Sequence, residues 1–221
     1  MELKTAELYK SFGEKAVLRG VSFSVTGGRA LGILGRNGAG KTTTIRIIMQ
    51  VFSPDSGEVL LDGQPMTPGK VKIGYLPEER GMYPKKSVMQ QLLYFGMLAG
   101  LKKREAAANA DRLLERLEMT EYRDKRLDTL SKGNQQKIQL VATLIADPDI
   151  IILDEPFSGL DPVNAMLLKD LVRELIAKGR IVLFSSHQMN YIEEFCDDIA
   201  ILNGGKIVLS GDIGEIKRSF D

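Results

Sequence analysis

A single cysteine, Cys196, stands in 221 residues, which excludes an internal disulfide and suits a reducing compartment. It falls in "YIEEFCDDIA", where it reads as a helix packing position rather than a reactive thiol. No sign of charge prevails either, since 30 Lys plus Arg face 29 Asp plus Glu, a formal net charge of +1. That balance gives no support to a nucleic-acid partner. The local basic clusters Lys85-Lys86 and Lys102-Lys103-Arg104 read as solvated surface. Long hydrophobic runs are missing too. The longest segment without a polar side chain, "LLYFGMLAGL" (Leu92 to Leu101), is too short to span a bilayer as a helix. The first residues lack the basic, apolar, small-residue order of a secretory signal, so the chain is expected to be soluble and to serve any membrane through a partner.

What is present is an alternation of strand and helix patterns, without repeats, in a chain long enough for one well-buried domain or two small lobes. "ELKTAELYKSF", "GVSFSV" and "GEVLLDG" read as short strands divided by Gly-rich turns. Between the second and third, "RALGILG" reads as a buried strand entering a Gly-rich loop, followed by a helix pattern over "KTTTIRIIMQVF". From Ser87 to Ala146 strand signals vanish, and Ala, Leu, Arg and Glu recur at helical spacing, as in "REAAANADRLLERLEM". This predicts a helical insert, and most of Met89, Leu92, Leu93, Tyr94, Phe95 and Met97 are expected to fill its core. "DIIILDEP" restores the parallel-sheet signal. The helix after it presents Leu168, Leu171, Val172 and Leu175 on one face, with Asp161 placed to cap it, Pro162 in its first turn and Gly179 at its stop. "RIVLFSS", another helix and the strand pair "IAIL" and "GKIVLSG" complete the pattern. Such alternation predicts a parallel sheet covered on both faces.

Three segments carry chemistry. "GRNGAGKT" places Gly35, Arg36, Asn37, Gly38, Ala39, Gly40, Lys41 and Thr42 in the phosphate-loop pattern G-x-x-x-x-G-K-[ST]. Its glycines let backbone N–H groups converge on phosphate oxygens, Lys41 reaches the β and γ phosphates, and the Thr42 hydroxyl can hold Mg²⁺. "IIILDEP" puts an acidic pair at the end of a buried strand, where α/β sheets bind ligands. There Asp154 suits the Mg²⁺ shell and Glu155 can orient or deprotonate an attacking water. Alone, such a strand end is also a common solvated turn; with the upstream loop it becomes a nucleotide site. His187, the only histidine, closes "LFSSH" on a strand expected beside that of Glu155. A further loop opens a helix at "TLSKGNQQKIQL", where free N–H groups attract an anion far from the phosphate loop in sequence.

These motifs together resemble those of the ATP-binding subunit of an ABC transporter. "GRNGAGKT" is similar to the family's Walker A motif, "IIILDEP" to Walker B, "SGLDP" to the D-loop, "SSH" to the switch histidine and "LSKGN" to the signature motif, usually LSGGQ. "GYLPEERGMYP" and "LSKGNQQK" look most like the exporter-type subfamily that includes sodium and drug efflux ATPases. The resemblance implies an α/β phosphate-loop NTPase core with a mostly parallel sheet, an N-terminal antiparallel β subdomain and an inserted α-helical subdomain. One domain over 1–221 is expected, with 1–86 and 147–221 as the catalytic core and 87–146 as the helical part. It further implies two subunits, as a homodimer or related heterodimer, sharing two ATP molecules head to tail. Ser131 and Gly133 then face the γ-phosphate held by Lys41 of the second subunit. Thr43 adds a hydroxyl near the α-phosphate, and Asp161 bridges the subunits besides capping its helix. Phe12 matches the aromatic position that stacks on adenine, with Tyr9 as a competitor three positions away.

Two departures from the family pattern stand out. The usual Q-loop glutamine is Glu78, whose carboxylate can still ligate Mg²⁺. Lys132 and Asn134 replace the usual Gly and Gln; Lys132 either adds positive charge near the phosphates or points to solvent. The expected function is ATP hydrolysis, with Glu155, His187 and Lys41 as catalytic residues and ATP and Mg²⁺ as cofactors. It drives export through a separate transmembrane permease subunit from the cytoplasmic face of the cell membrane. The alternative is a soluble ABC ATPase acting on a macromolecular complex. The sequence closes at "IKRSFD", where exporter-type relatives often continue, so a shortened form of such a chain is expected.

Overall fold

Strands without a charged side chain, such as "ALGIL", "IIIL" and "IVLF", can only lie within a sheet covered on both faces. The computed structural model describes every residue except 80, 158–161, 220 and 221. In chain order it contains β1 (Glu2–Phe12), β2 (Lys15–Thr26), β3 (Ala30–Leu34), α1 (Lys41–Ile48), β4 (Ser56–Leu61), β5 (Gln64–Pro65) and β6 (Ile73–Leu76). Then come α2 (Val88–Leu98), α3 (Lys103–Arg116), 3-10 turns at Thr120–Tyr122 and Leu127–Thr129, and α4 (Lys132–Leu144). The last part holds β7 (Ile150–Asp154), α5 (Pro162–Ala177), β8 (Ile181–Ser186), α6 (Met189–Phe195), β9 (Asp198–Asn203), β10 (Lys206–Asp212) and α7 (Ile213–Arg218).

The main sheet has the order β10-β9-β3-β8-β7-β6. Its pairs are parallel except β10, which runs antiparallel to β9. Alternation along each strand divides the interior in two. Ile150, Ile152, Ile181, Leu183, Leu31 and Ile33 join α1 and the second sheet in one core. Ile151, Leu153, Val182 and Phe184 join the helices α2 to α5 in the other. Each such side chain stabilises the fold by roughly 1.5–3 kcal/mol. The second sheet, of order β2-β1-β4-β5, is antiparallel and built from the N-terminal strands. The fold class is as expected: α/β, a mostly parallel sheet flanked by helices, and a separate antiparallel sheet. Helices α2 to α4 lie between β6 and β7, where the helical insert is expected.

Local signals explain several helix ends. Ser87 and Gln90 form a capping box at α2. Gly179, at φ 75°, ends α5 through Gly179 N–H to Ile176 O at 2.8 Å and Arg180 N–H to Leu175 O at 3.1 Å. Leu168, Leu171, Val172 and Leu175 are buried as the helical face requires. Asp161, expected to cap α5 and bridge subunits, lies outside the described residues.

Two expectations are corrected. The pattern read through Phe52 stops as a helix at Ile48, because Gln50 takes the left-handed φ of 59° and closes the end with bonds to Ile47 O and from Val51 N–H to Arg46 O. Its side-chain amide donates to Met66 O at 2.6 Å and holds it there without a glycine. In α2, Met89 and Leu92 are buried, but Tyr94 is 49% and Met97 51% exposed, so fewer of the apolar side chains enter the core than expected. Leu98 is 71% exposed beside them. Cys196 sits at the C-cap of α6 packed against Gly32, and burial together with Asp197 pushes its thiol well above the usual range. It is a packing residue.

Candidate functional site

Strand β3 ends in the loop 35–40, which turns directly into α1. Gly38 and Gly40 adopt φ of 80° and 114°, conformations that side chains resist, so glycine is required there. The turn aims the free N–H groups of the α1 start into a cleft of about 320 Å³. Lys41, the first residue of α1, is 7% exposed and donates from Nζ to Gly35 O at 2.6 Å. Thr42 is exposed at the same helix start, Thr43 half-buried, and Ala39 buried beneath them. Arg36, Asn37, Thr42 and Thr43 line the cleft with Lys41, and Lys15 and Val17 of β2 close its other side.

The opposite wall is acidic. Glu78, Asp154 and Glu155 all line the cleft. Asp154, at the end of β7, is 5% exposed and accepts from the Tyr75 hydroxyl at 3.3 Å. That hydroxyl is pushed up to about 12, first by burial and then by the Asp154 charge. Asp154 pairs in register with Ser185 of β8. Glu155 follows at φ 48°, a left-handed conformation that costs a non-glycine residue roughly 1–2 kcal/mol. Its N–H donates to Ser185 O at 2.9 Å, which anchors that turn. The Glu155 carboxylate is 7% exposed and faces three donors from the end of β8. Oε2 accepts from Ser186 Oγ at 3.1 Å, while Oε1 accepts from His187 N–H at 2.9 Å and lies 2.7 Å from His187 Nδ1. The expected adjacency of Glu155 and His187 is therefore present.

Three sequence candidates lie elsewhere. Ser131 caps α4 by accepting from Asn134 N–H at 3.3 Å, Gly133 is in the first turn of that helix, and neither lines the cleft. Lys132 is exposed at the helix start. Phe12, at the tip of the β1–β2 hairpin opposite Lys15, is 51% exposed and does not line the cleft. It packs edge-to-face on Phe52 at 5.6 Å, with the Lys10 ammonium over both rings. Its competitor Tyr9 pairs with Arg19 inside the ladder, away from the tip. Tyr75, Ser186, Lys15 and Val17 belong to the site without having been singled out from the sequence. "SSH" and "GYLP" were the available signals, but neither shows which carboxylate the hydroxyl meets.

A phosphate loop on a parallel α/β sheet, facing a buried acidic pair, defines the class. An ABC transporter family model matches residues 18–158. The chain is 48% identical over 212 residues to the "Uncharacterized ABC transporter ATP-binding protein YhaQ" of Bacillus subtilis, covering 96% of this chain and 71% of that protein. It is 35% identical to the "Nod factor export ATP-binding protein I" of Paraburkholderia xenovorans, covering 91% of this chain and 68% of that one. A solved "Structure of ATP binding subunit of ABC transporter" superposes with a TM-score of 0.89 at 30% identity, covering 100% of this chain and 93% of the other. The chain belongs to the ABC transporter ATP-binding family. It is an ATP-binding, ATP-hydrolysing subunit of an ABC transporter.

Proposed function

We propose that two such subunits close head to tail around two ATP molecules and drive export through a separate transmembrane permease subunit, on the cytoplasmic face of the cell membrane. The observation that carries this reading is a division of the motifs. One cleft unites Lys41, Thr42, Asp154 and Glu155, whereas Ser131 and Gly133 start a helix that contributes nothing to that cleft. A second subunit gives that helix start a nucleotide to face. The export direction is supported by the Nod factor export relative. Among the described residues no helix is long and apolar enough to cross a membrane, in keeping with a separate permease. We further propose a single domain over 1–221 in which 87–146 form the helical subdomain.

In this reading Gly35 to Gly40 cradle the phosphates, Lys41 leaves Gly35 O for the β and γ phosphates, and Thr43 approaches the α-phosphate. Phe12, half exposed on the hairpin that supplies Lys15 and Val17, stacks on adenine. Glu155 accepts a proton from the attacking water as its oxygen bonds the γ-phosphorus, and ADP leaves with the bridging oxygen. His187 holds Glu155 through Nδ1, which leaves its other ring nitrogen for the γ-phosphate. The oxygen donors Thr42, Glu78 and Asp154 line the same cleft and fit a hard divalent cation. Bound Mg²⁺ supplies charge neutralisation at the phosphates.

Glu78 gives the first test. Glu78→Gln is expected to keep activity within about tenfold, a barrier change near 1.4 kcal/mol, while Glu78→Ala weakens Mg²⁺ dependence more than ATP affinity. A Mg²⁺ titration in which both variants match the parent removes Glu78 from the metal site.

We assign the permease's docking to a second cleft. This cleft, of about 650 Å³, runs between β6, α2 and α4, walled by Met82, Phe95, Ala142 and Ile145. Exposed Tyr83, Tyr94 and Met97 stand around α2 beside it. A short helix of the permease fits such a groove. Lys85 and Lys86, both exposed in the segment entering α2, are placed to meet its charge. Charge reversal at both is expected to weaken co-purification of a polytopic membrane protein and to spare basal ATPase. Unchanged co-purification would place the permease elsewhere.

A further inference from the structure

Ser186 ends β8 and is 2% exposed, yet its hydroxyl is fully engaged. It donates to Glu155 Oε2 at 3.1 Å and accepts from Gln188 N–H at 3.1 Å. The second bond matters for the first. A serine hydroxyl rotates freely about its C–O bond, and its proton goes wherever the acceptors direct it. With the Gln188 N–H occupying one lone pair, the proton is turned towards Glu155. The opposite carboxylate oxygen, Oε1, is taken by both the backbone N–H and Nδ1 of His187. Among the described residues Oε2 accepts from Ser186 alone, so it is the oxygen with capacity left for a water in the cleft that Glu155 lines. Two oxygens held by separate donors fix the plane of the carboxylate, which one-sided contact with His187 alone does not.

We infer that Ser186 is a positioning residue for hydrolysis: its hydroxyl, oriented by Gln188 N–H, sets the plane of the Glu155 carboxylate and leaves Oε2 aimed at the attacking water. This rests on Glu155 acting on that water. The inference separates two neighbouring serines. Ser185 lies in register with Asp154 and offers Glu155 only its backbone carbonyl, whereas Ser186 acts through its side chain. A misplaced base slows chemistry without altering the groups that bind nucleotide.

The test measures ATP affinity, KM, kcat and thermal unfolding for the full chain carrying Ser186→Ala, Ser186→Cys or Ser186→Thr. Cys keeps nearly the volume of Ser but donates weakly. Ala and Cys are expected to lower kcat about tenfold, with KM, ATP affinity and melting temperature close to the parent. Thr, which retains the hydroxyl, is expected to restore most of the rate; if its extra methyl lowers the melting temperature, the Ala and Cys pair decides. Parent-like kcat in both Ala and Cys, with Glu155→Gln inactive, overturns the inference and leaves the role of Glu155 intact. A fall in melting temperature with a matching rise in KM makes Ser186 merely structural and also overturns it. Full turnover by Glu155→Gln instead removes the reading beneath it.

Discussion

Glu155→Gln is expected to bind ATP like the parent, to lose about 10²–10⁴-fold in turnover, and to accumulate as an ATP-bound dimer. The amide keeps the shape of the carboxylate and can still accept through its carbonyl oxygen from Ser186 or His187, the donors Glu155 meets at 3.1 and 2.9 Å. What it loses is the ability to take a proton from water. Binding relies on Lys41, the loop glycines and Thr42, none of which touches the substituted atom. A dimer that closes on ATP and opens only after hydrolysis therefore has no exit. Phosphate release and size-exclusion chromatography with ATP check the two parts separately. Undiminished phosphate release would falsify the role of Glu155.

The second large effect comes from mixing two inactive variants. Lys41→Ala removes the buried ammonium at the start of α1, and Ser131→Arg places a long side chain at the start of α4. Each homodimer then has two defective sites. In a heterodimer, one site combines an intact Lys41 with an intact Ser131, while the other carries both lesions. Random pairing makes half the dimers mixed, so activity recovers to about a quarter of the parent's when sites act independently. Turnover and ATP-dependent heterodimer formation are measured on the same mixtures. If neither appears, the α4 start does not complete a second subunit's site.

The sequence made the phosphate machinery legible because its chemistry dictates letters at fixed spacing. Lys41 and Thr42 must follow the loop directly, and an acidic pair must close a buried strand. The sheet was legible for a related reason, since "IIIL" and "IVLF" permit no exposed face. Side-chain partners brought together by the fold were not. Tyr75 reaches Asp154 across 79 positions and Ser186 reaches Glu155 across 31, and no local pattern encodes either meeting. The hairpin carrying Phe12 could be read, but not that Phe52 would take one edge of its ring. The end of α1 was hidden because Gln50 does what glycine usually announces. The outer face of α2 misled because an apolar side chain left at the surface looks the same in sequence as one bound for the core.

Helix α4 is fastened along its length to the acidic wall of the cleft. Gln136 Nε2 donates to Pro156 O at 2.6 Å, one residue past Glu155, and Gln139 Nε2 donates to Glu79 O at 3.2 Å, one residue past Glu78. Thr143 Oγ1 donates to Tyr75 O at 3.2 Å further along. In the proposed head-to-tail dimer the start of this helix would face a nucleotide that belongs to the other subunit. A shift of Glu78 or Glu155 on loss of a phosphate would then be passed along α4 as along a crank, loosening Ser131 from the neighbouring ATP. In that dimer each subunit would report the state of its own pocket to the opposite one through this helix.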